Sequence, residues 1–397
     1  MNTQIARLYQ IAQKPQRLII GLMSGTSLDG LDVALCQFTG SGIDAKTELL
    51  AFDTISYTDD IKQTIRTVFS QKQVDLEMLT LLNPWIGKLH ASMILKCLQK
   101  WKYTSTEIDL IASHGQTIYH APQSLHKHPD FPNATLQIGD GDHIAVQTGI
   151  ITLSDFRQKH IAAGGEGAPL AVYGDYILFS QKGEDRIMLN IGGIANFTFL
   201  SGDLDATKMF STDVGPGNTL IDAFSRLHYN HPFDENGAIA ASGIVHQSLL
   251  TTLLNHPFFQ AGFPKTTGPE LFSQSYVHQA QQQSQTENIS SQDLIATLTR
   301  FSAEGIAQAV KRNNLSEKAV VYMSGGGMHN PVLVKHLHQL LPDNVLKTTA
   351  DLQILPDAKE AVLFAILANE TVAGGLVNFG NRPGIPNVTM GKISFPN

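Results

Sequence analysis

Apolar residues in this chain follow two rhythms. Short apolar runs bounded by Gly, Ser, Asn or Asp alternate with longer segments whose apolar positions recur every three or four residues. The first rhythm reads as buried strands, the second as helices. Ile5, Leu8, Tyr9, Ile11 and Ala12 share one face of a short helix ahead of the first strand. Strands are predicted at residues 18–22, 32–38 and around 47–54. Helices follow over 61–69 and 76–101, then short strands at 108–112 and 150–153. The scheme then restarts: 186–200 reads as strand, Gly-rich turn, strand, and 219–227 and 292–311 as helices. Residues 319–323 form a strand that leads through a Gly turn into a helix at 331–341, and 358–373 is a last helix. The Gln- and Ser-rich stretch 279–292 reads as a surface loop or a fraying helix end. Such alternation predicts the α/β class.

The turns carry more information than the elements. Gly21 to Gly30 is a polar turn between two apolar runs, with Ser24, Gly25, Thr26, Ser27 and Asp29 inside it. Glycines permit close backbone approach, and exposed N–H groups in such a turn can hold phosphate oxygens. Asp29 and Asp32 repel bare phosphate, so they point to Mg²⁺ between carboxylate and phosphate. No Gly-Lys-Ser/Thr follows, and a strand rather than a helix comes next, so neither a Walker A loop nor a dinucleotide fingerprint is present. A plain β-hairpin accounts for the segment alone equally well. Asn190, Gly192 and Gly193 form a second strand–turn–strand unit, and Gly325, Gly326 and Gly327 form a turn before a helix, which suits a nucleotide contact. Two Gly-turn hairpins in two halves predict a duplicated kinase-like fold.

Length and composition set the bounds. The chain has 397 residues, 42% hydrophobic and 16% charged, which suggests two domains or one large one with ample material for a core. A net charge of −7 argues against a general nucleic-acid binder. Cys36 and Cys97 give neither a metal spacing nor a disulfide framework, so a reducing cytoplasm is the expected compartment. No apolar run is long enough to span a bilayer, and residues 1–17 lack the apolar core of a signal peptide.

Several polar residues sit at strand ends or beside glycines. Asp213 precedes Gly215, Pro216, Gly217 and Asn218, a position suited to a general base facing a ligand. An Asp that merely bonds its own turn is the plainer alternative. Asp155 and Arg157 suit a substrate clamp or a local salt bridge. His114 and Gln116 suit a substrate hydroxyl, although a lone strand-end His is more often structural. The stretch 164–170, with Gly165 and Glu166, is too glycine-rich for a helix and reads as a ligand-facing loop. Glu360 opens a helix, where it can reach a metal or a sugar or simply complement the helix N-terminus.

Taken in order, 21–32, 113–120, 137–140, 155–157, 164–170, 190–197, 213–218, 233–237, 264–268, 324–330 and Glu360 closely resemble the anhydro-N-acetylmuramic acid kinases. The resemblance implies a two-lobed actin-like, sugar-kinase (ribonuclease H-like) fold around a central cleft. Its expected lobes are residues 1–150 with 358–397, and 151–357. It implies ATP and Mg²⁺, an anhydro sugar as small-molecule substrate, no nucleic-acid or membrane partner, and a homodimer. By resemblance Asp213 is the catalytic base, and His114, Gln116, Asp155, Arg157, Gly165 and Glu360 bind substrate. Gly25, Thr26, Ser27, Asp29, Gly30, Asn190, Gly192, Gly193, Gly215, Gly217, Asn218 and Gly325–Gly327 bind nucleotide, with Asp29 and Glu360 toward the metal. The family often carries Asp where His160 stands and Gln where Glu166 stands. Another anhydro sugar such as levoglucosan, and a non-catalytic nucleotide switch, are the competing readings.

Overall fold

The computed structural model describes the chain except residues 269, 313–317, 381 and 383. It forms two compact units, Met1–Phe179 with Gln353–Asn397, and Ser180–Leu352.

In the first unit, β1 (Gln16–Ser24), β2 (Gly30–Thr39) and β3 (Lys46–Ser56) form an antiparallel meander. β4 (Leu110–Ala121) lies parallel to β1 on its other side, β5 (Ala134–Ile138) folds back on β4, and β6 (Ile151–Ser154) runs parallel to β4. The strand Lys392–Ser394 closes the edge against β6. Central β1 is apolar on both faces because both are covered. Ile20 and Leu22 join Val33, Leu35, Ile86, Ile94 and Ile111 in one core with the helix Leu76–Trp101, whose N-terminus is capped by Asp75. On the other face lies the helix Lys359–Ala373. Its backbone comes so close that a methyl on Gly21 would sit 1.9 Å from the Ala361 carbonyl oxygen.

The second unit repeats the plan. β7 (Arg186–Ile191), β8 (Ile194–Leu200) and β9 (Phe210–Pro216) form the meander, and β10 (Val320–Ser324) and β11 (Leu346–Thr348) extend it in parallel beyond β7. The helix Ser291–Lys311 is buried along most of its length, with Phe301 packed among Phe259, Phe272 and Tyr276. Two sheets with the same strand order and directions are the duplication expected from the two hairpins.

Three expectations shift. Residues 151–179 belong with the first unit, because β6 completes the β4 side of its sheet and Gly174 of the helix Ala171–Phe179 packs directly on Leu363. At the far boundary the return to the first unit begins at 353. The stretch 279–292 opens inside a regular helix, Gln274–Ser284, started by the Ser273 cap. Among the described residues no single helix is long and apolar enough to cross a membrane.

Candidate active site

The turn between β1 and β2 has an anchored base and a polar tip. Leu28, at φ 60°, is buried and pins the turn, while Thr26, Ser27 and Asp29 stay exposed. Gly30 is needed where it stands: a Cβ there would lie 2.3 Å from the Ile55 carbonyl oxygen. Ser24 points inward rather than toward a ligand. Its Oγ lies 2.6 Å from Gln116 Oε1 and 2.9 Å from the Tyr57 hydroxyl, which is 2.7 Å from His90 Nε2. Only one direction of donation satisfies all three bonds. Ser24 must donate to the Gln116 carbonyl oxygen, so Tyr57 donates to Ser24 and His90 Nε2–H donates to Tyr57. Burial holds His90 at a pKa of about 4, so the ring is neutral at physiological pH. Gln116 Nε2 then donates to the Gly25 carbonyl at 3.2 Å. Gln116 was expected to meet substrate; it is fully buried, and its amide supports the hairpin instead. Tyr57 and His90 carry no local sequence signal for this role.

Acidic groups gather beside this hairpin. Asp32 is half-buried on β2, with Thr54 Oγ1 donating to it at 2.5 Å. Desolvation, opposed by that bond and reinforced by Glu360, Asp357 and Asp29, pushes its carboxyl up to about 6. Glu360 keeps access to solvent yet is walled by protein; desolvation raises its pKa against the pull of Lys359 and Arg157. Among the described residues no three His, Cys, Asp or Glu side chains are close enough to enclose a metal. Any cation here would be held by one or two carboxylates and completed by water or phosphate, which is the usual habit of Mg²⁺.

His114 and Arg157 form a second assembly. Arg157 Nε donates to His114 Nε2 at 2.9 Å, and Nη1 donates to the Gly167 carbonyl at 2.6 Å. His114 Nδ1 lies 2.8 Å from the Gly115 carbonyl, and its ring packs on Phe364. Burial and the Arg157 charge depress the His114 pKa, so the ring is a neutral acceptor that orients the guanidinium. Asp155 turns back at φ 57° and pairs with Lys392. The glycine loop is shaped by His160, which accepts from Gly167 N at 2.9 Å and lies where a Gly165 side chain would be, 2.2 Å from an added Cβ. Gly165 itself is buried, and Glu166 is exposed.

In the second unit three glycine turns converge. Gly217 N donates to the Gly193 carbonyl and Asn218 N to the Gly192 carbonyl, both at 2.8 Å. A Cβ on Gly217 would lie 2.2 Å from the Gly192 oxygen, and one on Gly325 would lie 2.5 Å from Asn190 Oδ1. Gly327 packs as closely on Ile191, while Gly193 and Gly326 stay exposed. The turns at 192–193, 215–218 and 325–327 thus form one backbone-lined surface.

Asp213 stands at its edge. A bulge in the β8–β9 pairing sets Ala195 opposite Gly215 and Asn196 opposite Asp213, leaving Val214 as the extra residue, fully buried. Asp213 Oδ2 accepts from Thr267 N at 2.8 Å, and Asp213 N donates to the Lys265 carbonyl at 2.9 Å. Desolvation, helped by Glu270 and opposed by the Thr267 bond, raises its carboxyl to about 6. That value suits a base working near neutral pH. The 264–268 segment thereby gains a role that the sequence did not give it.

Comparison with known proteins identifies the family. The family model for anhydro-N-acetylmuramic acid kinase matches residues 17–391. A curated anhydro-N-acetylmuramic acid kinase from Pseudoalteromonas atlantica is 57% identical over 400 residues, covering all of both chains. One from Pseudoalteromonas translucida is 55% identical, again over all of both chains. One from Caldanaerobacter subterraneus is 39% identical, over 98% of this chain and 100% of its own. With the duplicated topology, the converging glycine turns and these matches along nearly its whole length, the chain belongs to the anhydro-N-acetylmuramic acid kinase family.

Proposed function

We propose that this protein uses ATP to open the 1,6-anhydro bridge of anhydro-N-acetylmuramic acid and phosphorylate the freed O6, giving N-acetylmuramic acid 6-phosphate and ADP in the recycling of cell-wall sugars. The observation that carries the reading is Asp213: a carboxylate aimed by a bulge, held by the Thr267 amide and raised to about 6 beside a glycine-lined surface. The names of the curated relatives favour this substrate over levoglucosan, and their kinase activity disfavours a pure switch.

Asp213 takes a proton from water as that water forms a bond to the anomeric carbon and the C1–O6 bond breaks. O6 then bonds to the γ-phosphorus as ADP leaves, so no second carboxylic acid is required for the leaving oxygen. Attack opposite the bridge inverts the anomeric centre. The turns at 192–193, 215–218 and 325–327 offer backbone N–H groups to the nucleotide, and Thr26 and Ser27 offer hydroxyls to its phosphates. Arg157, oriented by His114, and Asp155 and the Gly165 loop hold the sugar, with the lactyl carboxylate as the natural partner of the guanidinium. Asp29 and Glu360 would hold Mg²⁺, which neutralises phosphate charge; the several carboxylates gathered around Asp32 are the property that fits a cation there. A homodimer free of nucleic acid and membrane, in the cytoplasm, completes the proposal, and sedimentation tests the dimer.

An ADP-release assay tests the reading across anhydro-N-acetylmuramic acid, levoglucosan, N-acetylmuramic acid and N-acetylglucosamine. The expected result is turnover on the first, with an inverted product by NMR. Turnover confined to sugars with a free 6-hydroxyl would overturn it.

A further inference from the structure

The 264–268 segment that holds Asp213 lies outside any helix or strand. Its backbone meets β9 at two points. Lys265 N donates to Thr212 Oγ1 at 3.0 Å, and the Lys265 carbonyl accepts from Asp213 N at 2.9 Å. Further along, Thr267 N donates to Asp213 Oδ2 at 2.8 Å. Irregular backbone of this kind moves unless side chains tie it down.

The Lys265 side chain supplies the tie. A half-buried lysine ordinarily lays its stem along the surface and leaves its ammonium in water. Here the ammonium turns onto aromatic rings. Nζ donates to the Phe258 carbonyl at 2.8 Å and lies 4.1 Å from the centre of the Phe258 ring, 5.4 Å from that of Phe263 and 5.9 Å from that of Phe259. All three lie within reach of a cation–π attraction. The Phe258 carbonyl does not depend on the lysine, because Ala261 N donates to it at 3.2 Å, so capping the helix Pro257–Gln260 does not account for the arrangement. Desolvation, then the charge of Arg312, lowers the ammonium to about 8, which leaves it cationic at neutral pH. Arg312 is itself engaged with the Phe259, Gln260 and Ala261 carbonyls.

The rings around this ammonium reach β9 on both sides of the base. Phe263 stacks on Phe210, ahead of Asp213, with 5.7 Å between centroids. Phe259 lies 3.1 Å from a Cβ built on Gly215, beyond Asp213. One cation thus joins the irregular segment to aromatic side chains that already rest on the strand. We propose that Lys265 is a positioning residue for Asp213, a role that rests on Asp213 being the base. Its ammonium, seated among Phe258, Phe259 and Phe263, fixes the segment whose Lys265 carbonyl and Thr267 amide hold the carboxylate in place.

ADP release by the full chain with anhydro-N-acetylmuramic acid tests this, with nucleotide titration calorimetry counting the folded molecules. Lys265→Met keeps an apolar stem and removes the charge. Per folded molecule its kcat should fall about tenfold or more, the scale of a misplaced catalytic group, with KM for ATP unchanged. The midpoint of log kcat/KM against pH should also leave its value of about 6, which a merely structural role would not change. The Thr267 bond lowers the Asp213 carboxyl, while desolvation and Glu270 raise it. The midpoint therefore moves up where the bond alone is lost and down where water enters. Lys265→Arg keeps a cation over the rings and should restore most of both quantities. Where the methionine variant fails to bind nucleotide, Lys265→Gln, which keeps a donor for the Phe258 carbonyl, takes its place. Wild-type kcat without the charge, a loss of kcat at an unmoved midpoint, or an arginine variant as slow as the methionine one would overturn the proposal. Failure of the base reading is seen separately, as wild-type turnover in Asp213→Asn; an inactive Asp213→Asn beside an unaffected Lys265→Met counts against the lysine alone.

Discussion

Asp213→Asn should stabilise the protein at neutral pH while removing its turnover. Burial raises the Asp213 carboxyl from 3.8 to about 6, so ionising it in the folded protein is harder than in the unfolded chain. A shift of ~2 units corresponds to about 3 kcal/mol, and because the side chain is only half-buried, solvent screening reduces this to ~1–2 kcal/mol. The sign follows from proton linkage. Between pH 4 and 6 the folded state binds the proton that the unfolded state has released, so this group's contribution is fully present below about pH 4 and is lost as pH rises through 6. Asparagine does not ionise, and its carbonyl can still accept from Thr267 N. The variant should therefore match wild type at pH 4, gain on it up to pH 6, and hold a constant advantage above, about 1–3 °C in melting temperature for a chain of 397 residues. Melting curves for both proteins from pH 4 to 8, with ADP release measured in parallel, test this. An advantage that does not change with pH, or an asparagine variant less stable at pH 8, refutes the burial argument. Wild-type turnover in the variant refutes the base assignment. The log of wild-type kcat/KM should rise with pH and level off above about 6, since only the ionised carboxylate accepts a proton.

Three other perturbations test the supporting structure. Tyr57→Phe removes the hydroxyl between His90 and Ser24, leaving buried groups unpaired; urea denaturation should show a loss of ~1–3 kcal/mol, and KM for ATP should rise while KM for the sugar holds. An unchanged KM for ATP would show that the relay does not position the hairpin. Gly217→Ala places a methyl 2.2 Å from the Gly192 carbonyl oxygen, backbone against backbone, so the two turns must part and calorimetry should show nucleotide affinity falling about tenfold or more. Lys359→Met strands the buried Asp175 carboxylate, 3.0 Å from its ammonium, and should cost ~3–5 kcal/mol by denaturation. Adding Asp175→Leu should recover most of that loss, because an apolar pair replaces the ion pair.

The duplicated plan was legible because a glycine turn between two apolar runs is a local signal, and it occurs twice. Asp213 was legible for the same reason: a carboxylate before Gly-Pro-Gly stands out within a few residues. The lobe boundary was not. β6 has four residues, and its membership of the first sheet is decided by pairing with β4, far back in the chain. Inward and outward hydroxyls of one turn were equally hidden. Ser24 and Thr26 look alike in sequence, but Ser24 is claimed by Tyr57, 33 residues on, and Tyr57 by His90, a further 33. Gln116 was misplaced by the same long-range relay, and Thr267 comes to Asp213 across 54 residues.

The two hairpins, equivalent in topology, are built and stiffened in different ways. The first keeps side chains at its tip, where Thr26, Ser27 and Asp29 are exposed, and it stiffens that tip from below through Gln116 and the Gly25 carbonyl. The second carries bare glycine at its tip and is stiffened from the side, by turns packed so closely that no Cβ fits at Gly217 or Gly325. A tip with hydroxyls and a carboxylate suits phosphate and a metal, where charge must be matched. A tip without side chains suits close backbone approach. Exchanging the two tips should therefore fail in both directions even though the strands beneath them share one topology. A chain carrying Gly-Gly at 26–27 should keep its fold and lose phosphate affinity, whereas Thr at 193 should push against Thr219 Oγ1, 2.8 Å from the added Cβ, and loosen the surface that the glycines form.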